Sequence, residues 1–313
     1  MKVSIIVPVY NEEESIGLLY QTVEKSLKTM GFPWELILVD DGSQDNSPKK
    51  IRDIVKKHPD HVSAVILRRN FGQTAAIAAG IDHSKGDVIV LLDADLQNDP
   101  ADIPVMVNKL DEGYDLVSGW RFDRQDKFLT RTLPSRIANS LISAVTGVKL
   151  HDYGCSLKAY RREVLTGFRL YGEMHRFIPV YANSIGAKIV EIKVRHHARK
   201  FGKAKYGLER IFKVILDLFT VKFLTSYSSK PIYVFGGTGL VLITFSFASL
   251  LFLGIRRIVS KISPFSSPLF TIAIMIASMG FQSILMGLIA ELLVRTYHES
   301  QNKPIYNIRE VIQ

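Results

Sequence analysis

The sequence predicts an α/β protein, a mostly parallel sheet with helices on both faces, followed by a hairpin of two membrane-crossing helices. Three observations predict it. Through the first 120 residues, short and nearly continuous apolar runs alternate with amphipathic stretches, the pattern of strands buried on both faces and joined by helices. Acidic residues gather at the ends of those runs, where an open parallel sheet collects its ligands. Two later stretches, Pro231 to Ile255 and Ile262 to Ala290, run 25 and 29 residues without a charge.

Taken in order, KVSIIVPVY reads as a first strand. Acid follows it at once, which argues against a secretion leader. NEEESIGLLYQTVEKSLKTM is amphipathic at helical spacing, with Asn11 expected to cap it and Glu14 at the capping-box position. WELILVDDGS is a strand ending in Asp40, Asp41 and Gly42, and a helix through IRDIVKK follows. VSAVILRRN, the helix AAIAAGIDHS and the strand DVIVLLDAD repeat the unit. From Pro134 to Thr146 an apolar stripe of Ile137, Leu141, Ile142 and Val145 has proline in its first turn and stops at Gly147. A second stripe from Leu208 to Phe223, flanked by Arg210, Lys213 and Lys222, leads directly into the first charge-free run. That position predicts a helix lying at the lipid headgroups.

At ~1.5 Å per residue about 20 residues cross the hydrocarbon, so both charge-free runs are long enough. The short link RRIVSKIS makes them an antiparallel pair with both outer ends on one side. Gly236, Gly237, Gly239, Gly280 and Gly287 would weaken a water-exposed helix but allow close helix contact in lipid. Arg256, Arg257 and Lys261 in the link leave the orientation open by charge alone.

The charge is divided unevenly. The net +10 comes from 40 Lys and Arg against 30 Asp and Glu. Residues 1–120 carry about −7 and the remainder about +17. A basic half of that size suits an anionic partner such as a phosphorylated ligand or a membrane surface. Two membrane runs and an acidic first half argue against nucleic acid. With one cysteine, Cys155, no disulfide forms within the chain, and a reducing compartment is the simplest setting for the soluble portion.

The stretch LLDADLQND carries the chemistry. Asp93 and Asp95 follow an apolar run at spacing i, i+2, which points both the same way if strand geometry persists. Like charges so placed repel unless a cation sits between them and another anion. A hard divalent ion held by one or two carboxylates and a substrate's phosphates fits that need, as Mg²⁺ or Mn²⁺. A lone D-x-D is more often a solvated turn; here the neighbouring strand ends shift the balance. The glycine-rich phosphate signatures G-x-x-x-x-G-K-[ST] and G-x-G-x-x-G are both missing.

In order and interval, P8-V-Y-N-E12, V39-D-D-G-S43, R69-N-F-G72 and D93-A-D-L-Q97 resemble the family 2 glycosyltransferases of GT-A fold. D111-E-G-Y-D115, Arg121, R124-Q-D126, D152-Y-G-C-S-L-K-A-Y-R-R162, F177-I-P179 and H196-H-A-R-K-F-G-K-A-K-Y206 resemble a branch that moves sugars onto polyprenyl phosphate. Within it the chain looks most like the undecaprenyl-phosphate formamido-arabinose transferases, with polyprenyl-phosphate glucosyl and dolichyl-phosphate mannosyl transferases as cousins.

The resemblance implies roles. Pro8, Tyr10, Asn11 and Glu12 would line a nucleoside pocket, with Asp40 or Asp41 on base or ribose. Asp93 would face ribose and sugar, while Asp95 and Gln97 would hold Mg²⁺ or Mn²⁺ at the diphosphate. Arg121, Arg131, Ser135 and Arg136 would hold the acceptor phosphate, and Arg199 and Lys205 would lie on a loop closing over the donor diphosphate. Asp152, with Asp93 and Asp95, would serve catalysis as orienter or weak base. Ala204 stands where relatives often have serine, which puts one hydroxyl contact in doubt. His196 and His197 read as structural or phosphate-adjacent.

The implied partners are a nucleotide sugar, UDP-linked by the nearest resemblance, polyprenyl phosphate, the membrane and further copies of the chain, as a tetramer. The implied location is the inner membrane with the catalytic portion in the cytoplasm. The expected organisation is a GT-A domain over 1–206, in which residues 1–120 serve the donor and metal and residues 121–206 the acceptor. A juxtamembrane helix at 207–230, two spans within 231–291 and a tail at 292–313 follow. A processive polysaccharide synthase would share the sugar-nucleotide domain but carry Q-x-x-R-W, and neither Trp34 nor Trp120 is so preceded. A non-catalytic membrane scaffold would have no use for the D-x-D.

Overall fold

The computed structural model describes residues 1–28, 30–123, 133–166, 170, 174–198, 232–261, 263–300 and 306–313. Arg131, Arg199, Lys205 and the amphipathic stretch 208–223 lie outside them, as does the side chain of Arg136. The chain divides into two compact units, Met1–Val221 with Pro304–Gln313, and Lys222–Lys303.

The first unit is built on β1 (Val3–Val9), α1 (Ile16–Leu27), β2 (Trp34–Asp40), α2 (Ser47–Lys57), β3 (Val62–Leu67), α3 (Gln73–His83) and β4 (Val88–Leu91). These are the strand and helix alternations expected from the apolar runs. Then come α4 (Ile103–Asp111), β5 (Leu116–Trp120), α5 (Leu133–Thr146), β6 (Lys158–Arg161), α6 (Arg162–Leu165), α7 (Ile178–Ser184), β7 (Ile189–Lys193) and, after the second unit, β8 (Ile308–Ile312). They form one eight-stranded sheet in the order β7-β5-β6-β4-β1-β2-β3-β8. Its centre is parallel as expected, while β6 runs antiparallel to both β4 and β5, and β8 antiparallel to β3.

Alternate strand residues feed two cores. Val3, Ile5, Val7, Leu36 and Leu38 pack with Leu19, Val23, Ile51 and Met106 on one face. Ile6, Ile37 and Val39 pack with Ala76, Ala79, Ile142 and Ile178 on the other. Burial on both faces is why these strands read as unbroken apolar runs. Because β1, β2, β3 and β4 run parallel, their carboxyl ends share one rim, and Val9 lies in register with Asp40.

Two expectations need correction. Asn11 does not cap a helix. It takes a left-handed backbone, φ 51°, and α1 begins only at Ile16 after Ser15. Its polar groups are spent on the neighbouring loop instead: the Asn11 N–H donates to Ser43 Oγ (2.9 Å), and Asn11 Oδ1 accepts from the Gln44 N–H (2.8 Å). The expected tail is the second. The later apolar helix runs to Ser300, and Ile308–Ile312 returns as an edge strand of the first unit's sheet. Arg52 pairs with Glu310 at 2.7 Å, and the Tyr306 hydroxyl donates to Asp82 at 2.7 Å.

The second unit holds two apolar helices, Ile232–Ser260 and Pro268–Ser300. Their segments Phe235–Ser260 and Pro268–Ala290 are long and apolar enough to cross a membrane. They pack closely where Gly239 and Gly280 meet: a Cβ on Gly239 would lie 2.6 Å from the Gly280 carbonyl oxygen, and one on Gly280 would lie 2.8 Å from that of Gly239. Hydroxyls supply the polar contacts: Ser246 Oγ donates to the Ala273 carbonyl at 2.6 Å, and Ser283 Oγ to that of Phe235 at 2.8 Å. Gly237, by contrast, faces open space. Gly239→Ile therefore forces the helices apart, an overpacking that costs about 1–3 kcal/mol. Thermal unfolding of the detergent-solubilised protein should show a lowered Tm for Gly239→Ile and little change for Gly237→Ile; equal effects would contradict this packing.

Candidate active site

The rim at the carboxyl ends of β1 to β4 is built from loops that hydrogen-bond to one another. Pro8 sits in β1 opposite Val39, and Tyr10, Asn11 and Glu12 form the loop beyond. The Glu12 N–H donates to Ser47 Oγ (2.9 Å) and the Glu13 N–H to Asp45 Oδ2 (3.1 Å), so the loops after β1 and β2 are zipped together.

Asp40 ends β2 and Asp41 follows it, and both are buried. Burial pushes both carboxyls above their ordinary range. Their surroundings then separate them. Asp41 Oδ1 accepts the Phe71 N–H at 2.7 Å and its Oδ2 the Gly72 N–H at 2.9 Å, so Asp41 is occupied in shaping the loop after β3. Asp40 Oδ2 accepts the Ser43 N–H at 3.2 Å, while its Oδ1 is buried without a hydrogen-bond partner among the described residues. A buried acceptor of that kind is costly unless a donor arrives, whereas both Asp41 oxygens are already hydrogen-bonded. Gly42 follows at φ 69°, and a Cβ there would lie 2.4 Å from the backbone carbon of Arg69. Only glycine lets these two loops touch.

Asp93, Asp95 and Gln97 lie past the end of β4, which stops at Leu91. The i, i+2 pair is therefore not held by strand geometry. The chain turns, with Leu96 at φ 59° and Asp95 Oδ1 accepting the Gln97 N–H at 3.2 Å. The Gln73 amide, at the start of α3, donates to Asp93 Oδ1 at 2.8 Å. All three side chains are half-buried. Two carboxylates and an amide oxygen are hard donors that suit Mg²⁺ or Mn²⁺, so the residues present fit a divalent ion.

The D-x-D turn is tied on both sides. The Asn98 amide donates to Ser156 Oγ (2.8 Å), linking it to the segment that carries Asp152. The His197 N–H donates to the Gln97 carbonyl (2.8 Å), and Asn98 bridges His196 in antiparallel fashion. His196 and His197 thus join the D-x-D turn to the segment after β7.

Asp152 is buried, and Arg121 grips it with both arms of its fork: Nε donates to Oδ2 at 2.7 Å and Nη2 to Oδ1 at 2.9 Å. Glu191 on β7 holds the backbone beneath, accepting the Asp152 N–H at 3.0 Å. Further cations gather there. A Cβ on Gly154 would lie 3.2 Å from Arg121 Nη2 and 3.7 Å from Arg176 Nη1. The buried Lys158 donates to the carbonyls of Tyr153 (3.2 Å) and Cys155, and burial pulls its ammonium below the usual lysine range. Ser135 is half-buried in the first turn of α5. Gln73, Asn98, Arg176, Lys158 and Glu191 did not stand out in the sequence, although Asn98 lies within LLDADLQND and Lys158 within the D152–R162 run, and Gln73 and Arg176 adjoin the R69–G72 and F177–P179 runs. Cys155 is buried, and burial raises its thiol to about 11.

Residues 4–168 match the family described as Glycosyl transferase family 2. The chain belongs to that family. As a family 2 glycosyltransferase it is 42% identical to the dodecaprenyl-phosphate galacturonate synthase of Rhizobium johnstonii, over 99% of this chain and 93% of that protein. It is 39% identical to the undecaprenyl-phosphate 4-deoxy-4-formamido-L-arabinose transferase of Edwardsiella ictaluri, over 99% and 94% respectively. Among solved structures, the glucosyl-3-phosphoglycerate synthase of Mycobacterium tuberculosis in complex with Mn²⁺, uridine diphosphate and product matches with TM-score 0.52 and 19% identity, over 72% of this chain and 79% of that one. That likeness identifies the GT-A fold.

The two adjacent acids of this glycosyltransferase should separate by experiment. Asp41→Asn costs stability, about 1–3 kcal/mol, because it disturbs two loop-defining hydrogen bonds. Asp40→Asn leaves stability near wild type but weakens nucleotide binding about tenfold or more. Unfolding curves and calorimetric nucleotide titration check both; equal loss of stability in the two variants would contradict the division.

Proposed function

We propose that this glycosyltransferase transfers a sugar from a nucleotide diphosphate donor to polyprenyl phosphate, with inversion at the anomeric carbon. The observation that carries the reading is the near-full-length identity to two curated relatives whose names differ in sugar but share a polyprenyl-phosphate acceptor. The buried Asp40 Oδ1 supports a base with an imide N–H, such as uracil, and therefore a UDP-linked donor. The two apolar helices and the return of the chain into its own sheet support an anchored enzyme whose catalytic unit stays on one side, read as the cytoplasmic face of the inner membrane. A homo-oligomer belongs to the same reading.

Chemically, the acceptor is a phosphate monoester whose oxygen is already anionic near neutral pH. No strong base is needed to generate the nucleophile. A divalent ion at Asp95 and Gln97, when bound, neutralises the departing diphosphate. The protein's own groups do the rest. Arg121 and Arg176 offer donors suited to phosphate oxygens, and Asp152 keeps the Arg121 fork aimed rather than drawing a proton. Asp93, fixed by Gln73, faces the sugar side of the donor. The Arg131, Ser135 and Arg136 cluster and the Arg199 and Lys205 loop complete the acceptor and diphosphate contacts in this reading.

The reading is tested by incubating the purified protein with undecaprenyl phosphate, Mg²⁺ or Mn²⁺ and a panel of nucleotide sugars that includes galacturonate and formamido-arabinose donors, then weighing the glycolipid. One donor should yield a sugar-phosphoryl-lipid, and failure of every donor overturns the proposal. Asp152→Asn should lower turnover by about 10²-fold and raise the acceptor KM, with nucleotide affinity within about twofold of wild type. Parallel loss of nucleotide affinity would make Asp152 a structural residue instead.

A further inference from the structure

A second cluster of ligand-type side chains lies at the opposite rim of the sheet. Glu24 projects from α1, His58 closes the C-terminus of α2, and His61 precedes the first residue of β3. One ligand atom from each comes within 4.8 Å of the other two. The nucleotide-facing rim is at the other end of the parallel strands. β3 separates the two rims by its length, about 20 Å at ~3.3 Å per residue.

We propose that Glu24, His58 and His61 form a binding site for a zinc-type transition metal, separate from the divalent site of the D-x-D turn. Two imidazoles and a carboxylate make a mixed N/O set that suits Zn²⁺ and its neighbours, whereas Mg²⁺ wants oxygen alone. Three protein ligands leave a fourth position for water. Tetrahedral ligands at about 2.1 Å stand about 3.4 Å apart, so closing on the ion requires movements of about 1 Å in half-buried side chains.

The surroundings are already arranged for it. The Tyr20 hydroxyl lies 3.1 Å from His61 Nε2 and also hydrogen-bonds Glu24, so one side chain ties two of the three candidate ligands together. Trp34 meets the His61 ring edge-on with centroids 4.5 Å apart, and Tyr20 lies 4.5 Å from the His58 ring, so both imidazoles are held by packing. Bound metal would staple α1 to the link between α2 and β3, and a ligand held only by the folded state raises stability.

Co²⁺ is the probe, because it absorbs visibly in a tetrahedral N/O field and quenches a nearby indole. The purified full chain, stripped with chelator and kept in excess Mg²⁺, should bind about one Co²⁺ with visible bands and loss of Trp34 emission. Zn²⁺ should displace it and raise Tm by several degrees. His58→Gln and Glu24→Gln should each lose the bands and the Tm rise, while Asp95→Ala and His197→Gln keep both. Absence of the bands in the wild type, or their persistence in the double variant His58→Gln/His61→Gln, overturns the proposal. The wild-type spectrum decides the matter even where a variant fails to fold.

Discussion

Like charges crowded onto one rim are the constraint around which this site is organised. Parallel strands deliver Asp40, Asp41, Asp93 and Asp95 to the same end of the sheet, and at the buried Asp40 and Asp41 burial opposes ionisation. Each is handled differently. Asp41 is absorbed by two backbone N–H groups of the next loop, and Asp93 by the Gln73 amide. Asp40 keeps an oxygen in reserve, and Asp95 sits in a turn of hard oxygen donors. The rim stays assembled because its loops are hydrogen-bonded to one another.

The same logic, with signs reversed, governs the acceptor side. Arg121, Arg176 and Lys158 surround one buried carboxylate. Arg121 is committed to that carboxylate, and Lys158 to two backbone carbonyls. The bidentate pair with Asp152 fixes the orientation of Arg121, and removing one partner of so buried a pair is expensive, about 3–5 kcal/mol. The D-x-D turn and the Arg121–Asp152 cluster are joined through Asn98 and Ser156, which sets their spacing within the protein.

Much of this was legible in the chain. The apolar runs located the strands, and VDDGS and DADLQ located the rim, because side-chain burial on both faces and acid at strand ends are properties of local sequence. What escaped depended on contacts distant in the chain. Asn11 looked like a cap, yet its side chain bonds a loop 33 residues away. The D-x-D looked like strand, yet Leu96 turns the chain. Glu191 is an ordinary strand acid until β7 lies beside β5. The terminal I-R-E-V-I alternates as an edge strand should, but nothing local says that it pairs with β3, some 240 residues earlier.

The central claim is that the rim's acids bind a sugar nucleotide only with a divalent ion between them. Calorimetric titration of UDP into the purified protein, with and without Mn²⁺ or Mg²⁺, measures it most directly. Binding should require the metal and be abolished by Asp95→Ala. Full-affinity binding in the presence of EDTA, or in Asp95→Ala, would contradict it.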